Sequence, residues 1–205
     1  MRFVVRDLVY IGVFGALWGA VETTVGAVLH TLNIPFSGAV LTAFGISIAL
    51  MGRLFVPRRG SVLFIGLVTA FLKMFSVGGI VLSPMLGIIV ESLLAEAALT
   101  VLGRPRRLSF CVAGALATLW TLVHPFLTQG ILAGAGIVTI YVRTLENGAR
   151  VLGLNASAIL LVLAALVALH LALGAAGGLL AWDAGRVVQS RLRPTGTAAA
   201  AGPGK

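Results

Sequence analysis

Hydrophobic residues make up 59% of this 205-residue chain, charged residues make up 10%, and the mean hydropathy is +1.08. This composition excludes a soluble globule, because too little polar surface remains to cover one. The net charge of +9 does not indicate nucleic-acid binding, since the basic residues are scattered between apolar runs. One cysteine, Cys111, excludes an internal disulfide. The sequence therefore predicts an all-α, polytopic membrane helix bundle that forms a single domain over residues 1–193.

The first predicted span covers residues 7–30. Arg2 and Arg6 precede it, as in a signal peptide, but the apolar stretch continues without a small-residue cleavage site, so we expect this helix to be retained. Small residues recur along it every three or four positions, and Ala16 and Ala20 form an A-x-x-x-A pattern. Such a face lets two helices approach closely, and packing inside the bundle is its ordinary interpretation.

Apolar runs predict six spans in all, at residues 7–30, 39–56, 61–75, 80–102, 108–129 and 156–182. A bilayer core of ~30 Å requires ~20 apolar residues, and the third span is short by this measure. The spans must be helical, because lipid offers no partner for an unpaired backbone group.

Basic residues assign the two sides of the membrane. With six spans, both terminal segments and every second connection lie on the same side of the membrane. These segments, with the span ends beside them, hold 12 of the 15 Lys and Arg residues, all except Lys73, Arg143 and Arg150. The positive-inside rule makes that side the cytoplasm. We therefore predict a multi-pass protein of the cell's inner (plasma) membrane, with six spans and both termini in the cytoplasm.

The connections on the outer side differ from the inner ones. HTLNIPFSG and FSVGGIVLSP are apolar, rich in Gly, Pro and Ser and nearly free of charge, which suits loops that fold over a site. Residues 130–155 are too interrupted to span the membrane, yet they alternate apolar and polar residues as an interfacial helix does, and we predict a lid there. The tail 194–205 is of low complexity and is predicted to be disordered.

Four ionisable residues on four different spans are predicted to converge: Glu22, Lys73, Glu91 and His124. A rise of ~1.5 Å per residue places them between the middle and the outer half of the bilayer. A charge facing lipid at the centre costs ~2.5–3.5 kcal/mol, so they should face a cavity or one another. Two interpretations stay open. Lys73 pairs with one acid to hold the bundle together, or a surplus carboxylate gives an acidic pocket that suits a cationic or amine-bearing ligand, unless burial keeps the spare acid neutral.

Two further polar residues of the spans are predicted to be structural. Glu96 lies deeper than Glu91 and ~140° further round the same helix, so the two acids cannot share one face. We interpret Glu96 as a helix-packing or coupling residue. His170 in the last span is interpreted as a packing residue.

The segment WTLVHPFLTQG, at residues 120–130, adds Trp120 and Gln129 near the depth of His124. Pro125 within it lacks a backbone N–H and predicts a kink. Broken membrane helices often line sites, so these side chains are candidates for ligand binding. A histidine inside a membrane is as often a packing residue, and that interpretation stays open for His124.

A family resemblance follows from the sequence Ala16-Leu17-Trp18-Gly19-Ala20 in the first span, the chain length, the six spans and the Gly- and Pro-rich outer loops. Over residues 5–185 the chain resembles the substrate-binding S components of energy-coupling factor (ECF) transporters. The resemblance implies that Ala16 and Ala20 dock onto a transmembrane coupling protein that carries two ATPase subunits. The chain itself has no G-x-x-x-x-G-K-[ST] phosphate loop, so energy would come from those partners.

The resemblance also implies that a small water-soluble vitamin or precursor binds in the outer half of the bundle, beneath the loops. The family's pocket maps onto Glu91, Trp120, His124, Gln129, Tyr141 and Arg143, and depth adds Glu22 and Lys73. The histidine motif of the cobalt and nickel branch is missing, so no metal site and no cofactor are predicted.

Three other functions are alternatives to this importer component. An intramembrane enzyme is disfavoured, because the sequence has no H-E-x-x-H zinc helix, no G-x-S-x-G turn and no paired-aspartate motif. A membrane scaffold or assembly protein needs only small-residue faces and would pack Glu22, Lys73 and Glu91 into a closed triad. A small secondary transporter without an ATPase partner is the third, although no inverted repeat is evident.

Overall fold

The computed structural model describes residues 3–32, 34–75, 82–132, 134, 136–155 and 158–192. The predicted tail 194–205 and most of the predicted loop FSVGGIVLSP lie outside these residues. Throughout the described part the chain forms helices and no strand, which confirms the all-α prediction. The helices are α1 (Val5–Thr31), α2 (Ser37–Phe55), α3 (Ser61–Lys73), α4 (Leu82–Leu102), α5 (Arg107–Pro125), α6 (Ile137–Leu152) and α7 (Ile159–Leu192), and a π-helical segment (Phe126–Leu132) follows α5.

Five of the helices, α1, α2, α4, α5 and α7, are long and apolar enough to cross a membrane. The fold is therefore an α-helical membrane bundle. The apolar helix α3 has 13 residues, which rise only ~20 Å, less than a bilayer core of ~30 Å. The last helix corrects a predicted boundary, since it continues from the predicted end at 182 to Leu192. Hydropathy marks where lipid ends, whereas a helix continues into water wherever its backbone bonds stay intact.

Contacts between the helix ends show that neighbouring helices run antiparallel. At one end, Asp7 in the first turn of α1 pairs at 2.6 Å with Arg58 in the α2–α3 connection. We call this the basic end. At the other end, His124 near the end of α5 lies against Ser83 in the first turn of α4, with 3.0 Å between Nε2 and the carbonyl oxygen. We call this the cavity end.

Trp18 of α1 is fully buried in the main core. Its indole lies against Gly45 of α2, where an added Cβ would overlap the ring. Ile46 and Leu50 of α2 surround it in the same core and are also fully buried. The tryptophan of the sequence LWGA is thus a core residue, and its position fixes how α1 is rotated about its own axis.

Glu96 of α4 is a packing residue near the basic end, and it binds the start of α3. Its carboxylate accepts hydrogen bonds from the backbone N–H groups of Gly60 (2.7 Å) and Val62 (3.0 Å), and it pairs with the Arg53 guanidinium at 3.2 Å. Arg53 also donates to the Ser61 hydroxyl at 3.1 Å. The otherwise unpaired N–H groups at the start of α3 are satisfied in this way, and α2, α3 and α4 are joined by one buried polar cluster.

Glycines bring α5 and α7 into backbone contact. A Cβ on Gly114 would overlap the carbonyl group of Gly174, and a Cβ on Gly174 would overlap that of Gly114. Gly178 lies against the carbonyl group of Phe110 in the same manner. In lipid, where the hydrophobic effect no longer drives helices together, such close approach supplies much of the packing attraction.

We expect Gly174→Ala to lower the free energy of unfolding by about 1–3 kcal/mol, because the methyl group must push α5 and α7 apart. Reversible unfolding in mixed detergent micelles measures this loss. Gly12→Ala is the matched control, since a Cβ there meets nothing within 4 Å and the substitution is again glycine to alanine in a helix. Equal stability of the two variants would contradict the backbone contact.

Two helical segments follow Pro125, the residue at which the sequence predicts a kink. Pro125 ends α5, and the π-helical segment begins at the next residue. Within residues 130–155 the helix α6 is confirmed, while its action as a lid stays a prediction. Leu145 and Ala149 of α6 pack against Leu166 of α7 in a second, smaller core. This core holds α6 against the cavity end of the bundle.

Candidate functional site

A cavity of about 740 Å³ lies at the cavity end between α1, α2, α3, α4 and α5. It is lined by the four ionisable residues that the sequence predicts to converge, Glu22, Lys73, Glu91 and His124. Both carboxyl residues are deep in the bundle, with 6% of each residue exposed. Glycine, threonine and apolar residues complete the wall. We call this space the main cavity.

Glu22 and Lys73 tie α1 to α3 on one wall of the main cavity. The Lys73 ammonium lies 3.5 Å from a Glu22 carboxylate oxygen, and it also donates to the Glu22 backbone carbonyl at 3.3 Å. The Trp18 indole N–H donates to the other carboxylate oxygen at 3.3 Å. Of the two acids that the sequence left open as partners of Lys73, the structure pairs it with Glu22. Its positive charge is therefore already matched.

Glu91 of α4 lies on another wall and has a different environment. One carboxylate oxygen accepts a hydrogen bond from the Thr42 hydroxyl of α2 at 2.9 Å. Among the described residues no cationic group lies within ion-pair distance of Glu91, in contrast to Glu22. The surplus carboxylate that the sequence predicts is thus Glu91, and it faces the cavity.

His124 of α5 lies near Glu91 across Gly87. Its Nε2 is 3.0 Å from the Ser83 carbonyl oxygen. A carbonyl oxygen only accepts, so Nε2 carries the hydrogen, and in the neutral ring Nδ1 is then an acceptor. A Cβ added to Gly87 would lie 3.4 Å from His124 Nε2 and 3.7 Å from Glu91 Oε1. All three residues line the main cavity, and a methyl group on Gly87 would contact both of the other side chains.

Comparisons with known proteins find no matching family model, no similar curated protein and no similar solved structure. The function is therefore inferred from the residues of the site itself.

A second, smaller cavity of about 420 Å³ lies beneath α6. It shares Gly38, Thr121 and Pro125 with the lining of the main cavity, so the two spaces are neighbours. We call it the side cavity. Phe36, which lines it, holds a left-handed backbone conformation with φ 56°. Such backbone is rare for a bulky residue and occurs where the surrounding structure imposes it.

His170 lines the side cavity as well and is almost fully buried. Its Nδ1 lies 2.7 Å from the Leu166 carbonyl oxygen one turn earlier in α7, and its ring packs edge-on against Phe36. These contacts fit the predicted packing role, in which the imidazole N–H is satisfied by its own helix.

Four predicted site residues do not line either cavity: Trp120, Gln129, Tyr141 and Arg143. The last three are exposed on the π-helical segment and α6. Trp120 packs near His124, with 6.2 Å between ring centroids, and its buried indole N–H has no hydrogen-bond partner among the described residues. The binding role of these four residues stays a prediction.

Sequence reasoning missed several lining residues. Thr42 and Thr121 are single hydroxyl residues in apolar helices, a type frequent enough to carry no signal alone. Gly87 is similarly one of 26 glycines. Arg150 of α6 lines the side cavity. The sequence indicates it only as a basic residue away from the cytoplasmic side.

The small-residue stretch of α1 divides into two faces. Gly15 and Gly19 are buried against α3, and a Cβ on Gly15 would lie only 2.6 Å from a methyl carbon of Val68. Ala16 and Ala20 are exposed on the surface of the bundle. Packing inside the bundle thus accounts for the glycines but not for the A-x-x-x-A pair.

Proposed function

We propose that this protein is the membrane-embedded substrate-binding component of an ECF-type importer and that it binds a small water-soluble vitamin or precursor. The observation that carries this proposal is the main cavity. Ionisable groups from four helices line it within a membrane bundle, and its volume of about 740 Å³ is that of small-molecule pockets, ~300–1,000 Å³. Charges at such depth are costly, and ligand binding is one of the functions that account for them in membrane proteins.

In this proposal the protein lies in the inner (plasma) membrane with six spans. The basic end faces the cytoplasm, together with both termini, as the positive-inside rule requires. The short third span, predicted at residues 61–75, is α3 together with Met74 and Phe75. The cavity end then faces outward, so the ligand reaches Glu91 and His124 from the outside.

The chain supplies recognition, and its partners supply energy. Ala16 and Ala20 form the docking surface for a transmembrane coupling protein that carries two ATPase subunits. On ligand entry, α6 and the π-helical segment close over the cavity end, the bundle reorients, and ATP hydrolysis by the partners resets it. The protein is not itself an enzyme in this scheme and needs no cofactor.

The scaffold alternative requires Glu22, Lys73 and Glu91 to form a closed, packed triad. A cavity lies between these residues instead, and Glu91 is not paired with Lys73. This arrangement counts against a purely structural role. It does not by itself separate an ATP-driven importer from a small secondary transporter, and the partner subunits make that distinction.

Native mass spectrometry of the gently purified protein tests the proposal. We expect a retained molecule of vitamin size and a fraction of the protein bound to a coupling protein with ATPase subunits. A ligand without any ATPase partner would favour a secondary transporter. An empty, partnerless protein whose melting temperature does not respond to a panel of water-soluble vitamins would favour a scaffold and overturn the proposal.

A further inference from the structure

We infer that Glu91, Gly87 and His124 form a subsite for a cationic nitrogen, so that the ligand is an amine or another organic cation with an N–H group. This inference rests on the proposed function and specifies the class of its ligand. Two features of the main cavity support it: the pairing of its charged and donor groups, and the room beside Gly87.

Among the described residues, the fixed groups of the main cavity leave one carboxyl group without a positive partner. The Lys73 ammonium is held by the Glu22 carboxylate and carbonyl, and the Nε2–H of His124 is directed at the Ser83 carbonyl. Glu91 receives only the neutral hydroxyl of Thr42 among the described residues. A ligand that brings a cationic N–H completes the set, whereas a carboxylate ligand would meet the uncompensated acid and gain no free donor.

Space at the subsite depends on Gly87. The atoms nearest to a Cβ on that residue are His124 Nε2 at 3.4 Å, His124 Cε1 at 3.6 Å and Glu91 Oε1 at 3.7 Å. A methyl group would therefore fit without overlap, in ordinary van der Waals contact with both side chains, and would take up part of the main cavity that the three residues line. Because alanine also favours the helix over glycine, the substitution blocks the subsite without unfolding α4.

The test measures binding to the purified full-length protein by thermal shift, using benzylamine, benzyl alcohol and benzoate as matched probes. We expect benzylamine alone to raise the melting temperature. Glu91→Gln should weaken benzylamine binding about 10- to 100-fold, as the loss of a charge-assisted hydrogen bond implies. Gly87→Ala should weaken it about tenfold or more by occupying the space.

Gly12→Ala is the control, since it makes the same glycine-to-alanine change in a helix where a Cβ meets nothing within 4 Å. It should bind benzylamine as the wild type does. Melting temperatures of the ligand-free variants report folding separately from binding. The inference is overturned if the alcohol or the carboxylate stabilises the protein as well as the amine does, if none of the three probes stabilises it, or if folded Glu91→Gln or Gly87→Ala retains full benzylamine binding.

Failure of this inference is distinguishable from failure of the proposed function. A co-purified vitamin-sized molecule without a cationic nitrogen, together with bound ATPase partners, leaves the importer function intact and removes the amine subsite. A co-purified cation without ATPase partners keeps the subsite and removes the ECF assignment.

Discussion

We expect Ala16→Leu and Ala20→Leu to abolish uptake by the assembled transporter while the purified protein binds its ligand unchanged. Both alanines are exposed on α1, and neither belongs to the lining of the main or the side cavity. Two helices that meet through small residues approach too closely to accept a leucine side chain at the contact. Leucine at either position therefore prevents docking of the coupling protein, but it is an ordinary residue on a lipid-exposed helix.

The matched control for this prediction lies on α7. Ala164 and Ala168 are also exposed, have the same four-residue spacing and stand in an apolar helix. Ala164→Leu and Ala168→Leu should leave both uptake and binding unchanged, so that any defect at Ala16 and Ala20 reports their position and not the added bulk. Uptake is measured in cells that express the partners, and complex formation is measured by co-purification of the coupling protein.

Two outcomes would contradict the docking role. Normal uptake by both α1 variants would show that this face has no partner. Loss of ligand binding by the purified variants would instead indicate that the alanines pack inside the bundle. The glycines beside them give a useful contrast, since Gly15→Leu should destabilise the protein by collision with Val68 of α3.

The sequence could predict the depth of the polar residues, because a helix rises by a fixed amount per residue. Counting from the span ends places Glu22, Lys73, Glu91 and His124 between the middle and the outer half of the bilayer, and in the structure the four residues line one cavity. It could not predict which acid pairs with Lys73. That choice depends on the rotation of each helix about its axis, which tertiary packing sets, as in the insertion of Trp18 against Gly45.

Rotation also explains where the prediction and the structure diverge after Pro125. The sequence predicts one helical span through Gln129, whereas a π-helical segment begins at Phe126. A π-helix bonds i to i+5 and has more residues per turn than an α-helix, so each following side chain points in a different direction. Gln129 is exposed there and does not line the cavity. Neither hydropathy nor the proline alone indicates this change of period.

We expect Glu96→Gln to lower the free energy of unfolding by about 3–5 kcal/mol, the usual cost of leaving one member of a buried ion pair alone. The Arg53 guanidinium, 7% exposed at its side chain, would lose its only anionic partner among the described residues. Gly60 and Val62 donate their backbone N–H groups to different oxygens of Glu96, so the single amide oxygen of glutamine keeps only one of these bonds, and the side chain carries no charge. Reversible unfolding in mixed detergent micelles gives the value.

An exposed ion pair provides the control. Arg107 and Asp183 lie 2.7 Å apart with more than half of each side chain exposed, and Arg107→Gln should cost no more than about 1 kcal/mol. A comparably small loss for Glu96→Gln would show that the Arg53 pair is not stabilising.

The double variant Arg53→Met with Glu96→Gln separates charge from shape. It removes the uncompensated cation and keeps the amide oxygen that accepts from the start of α3, so it should be more stable than the sum of the two single losses predicts, by about 0.5–3 kcal/mol.

Ligand affinity of the folded Glu96→Gln protein should equal that of the wild type, because Glu96 lies near the basic end and does not line the main cavity. Glu91→Gln should show the opposite pattern, with weakened binding and little loss of stability. Both acids belong to α4. This reversal would show that Glu96, which pairs with a buried cation, stabilises the fold, and that Glu91, which has no such partner among the described residues, recognises the ligand.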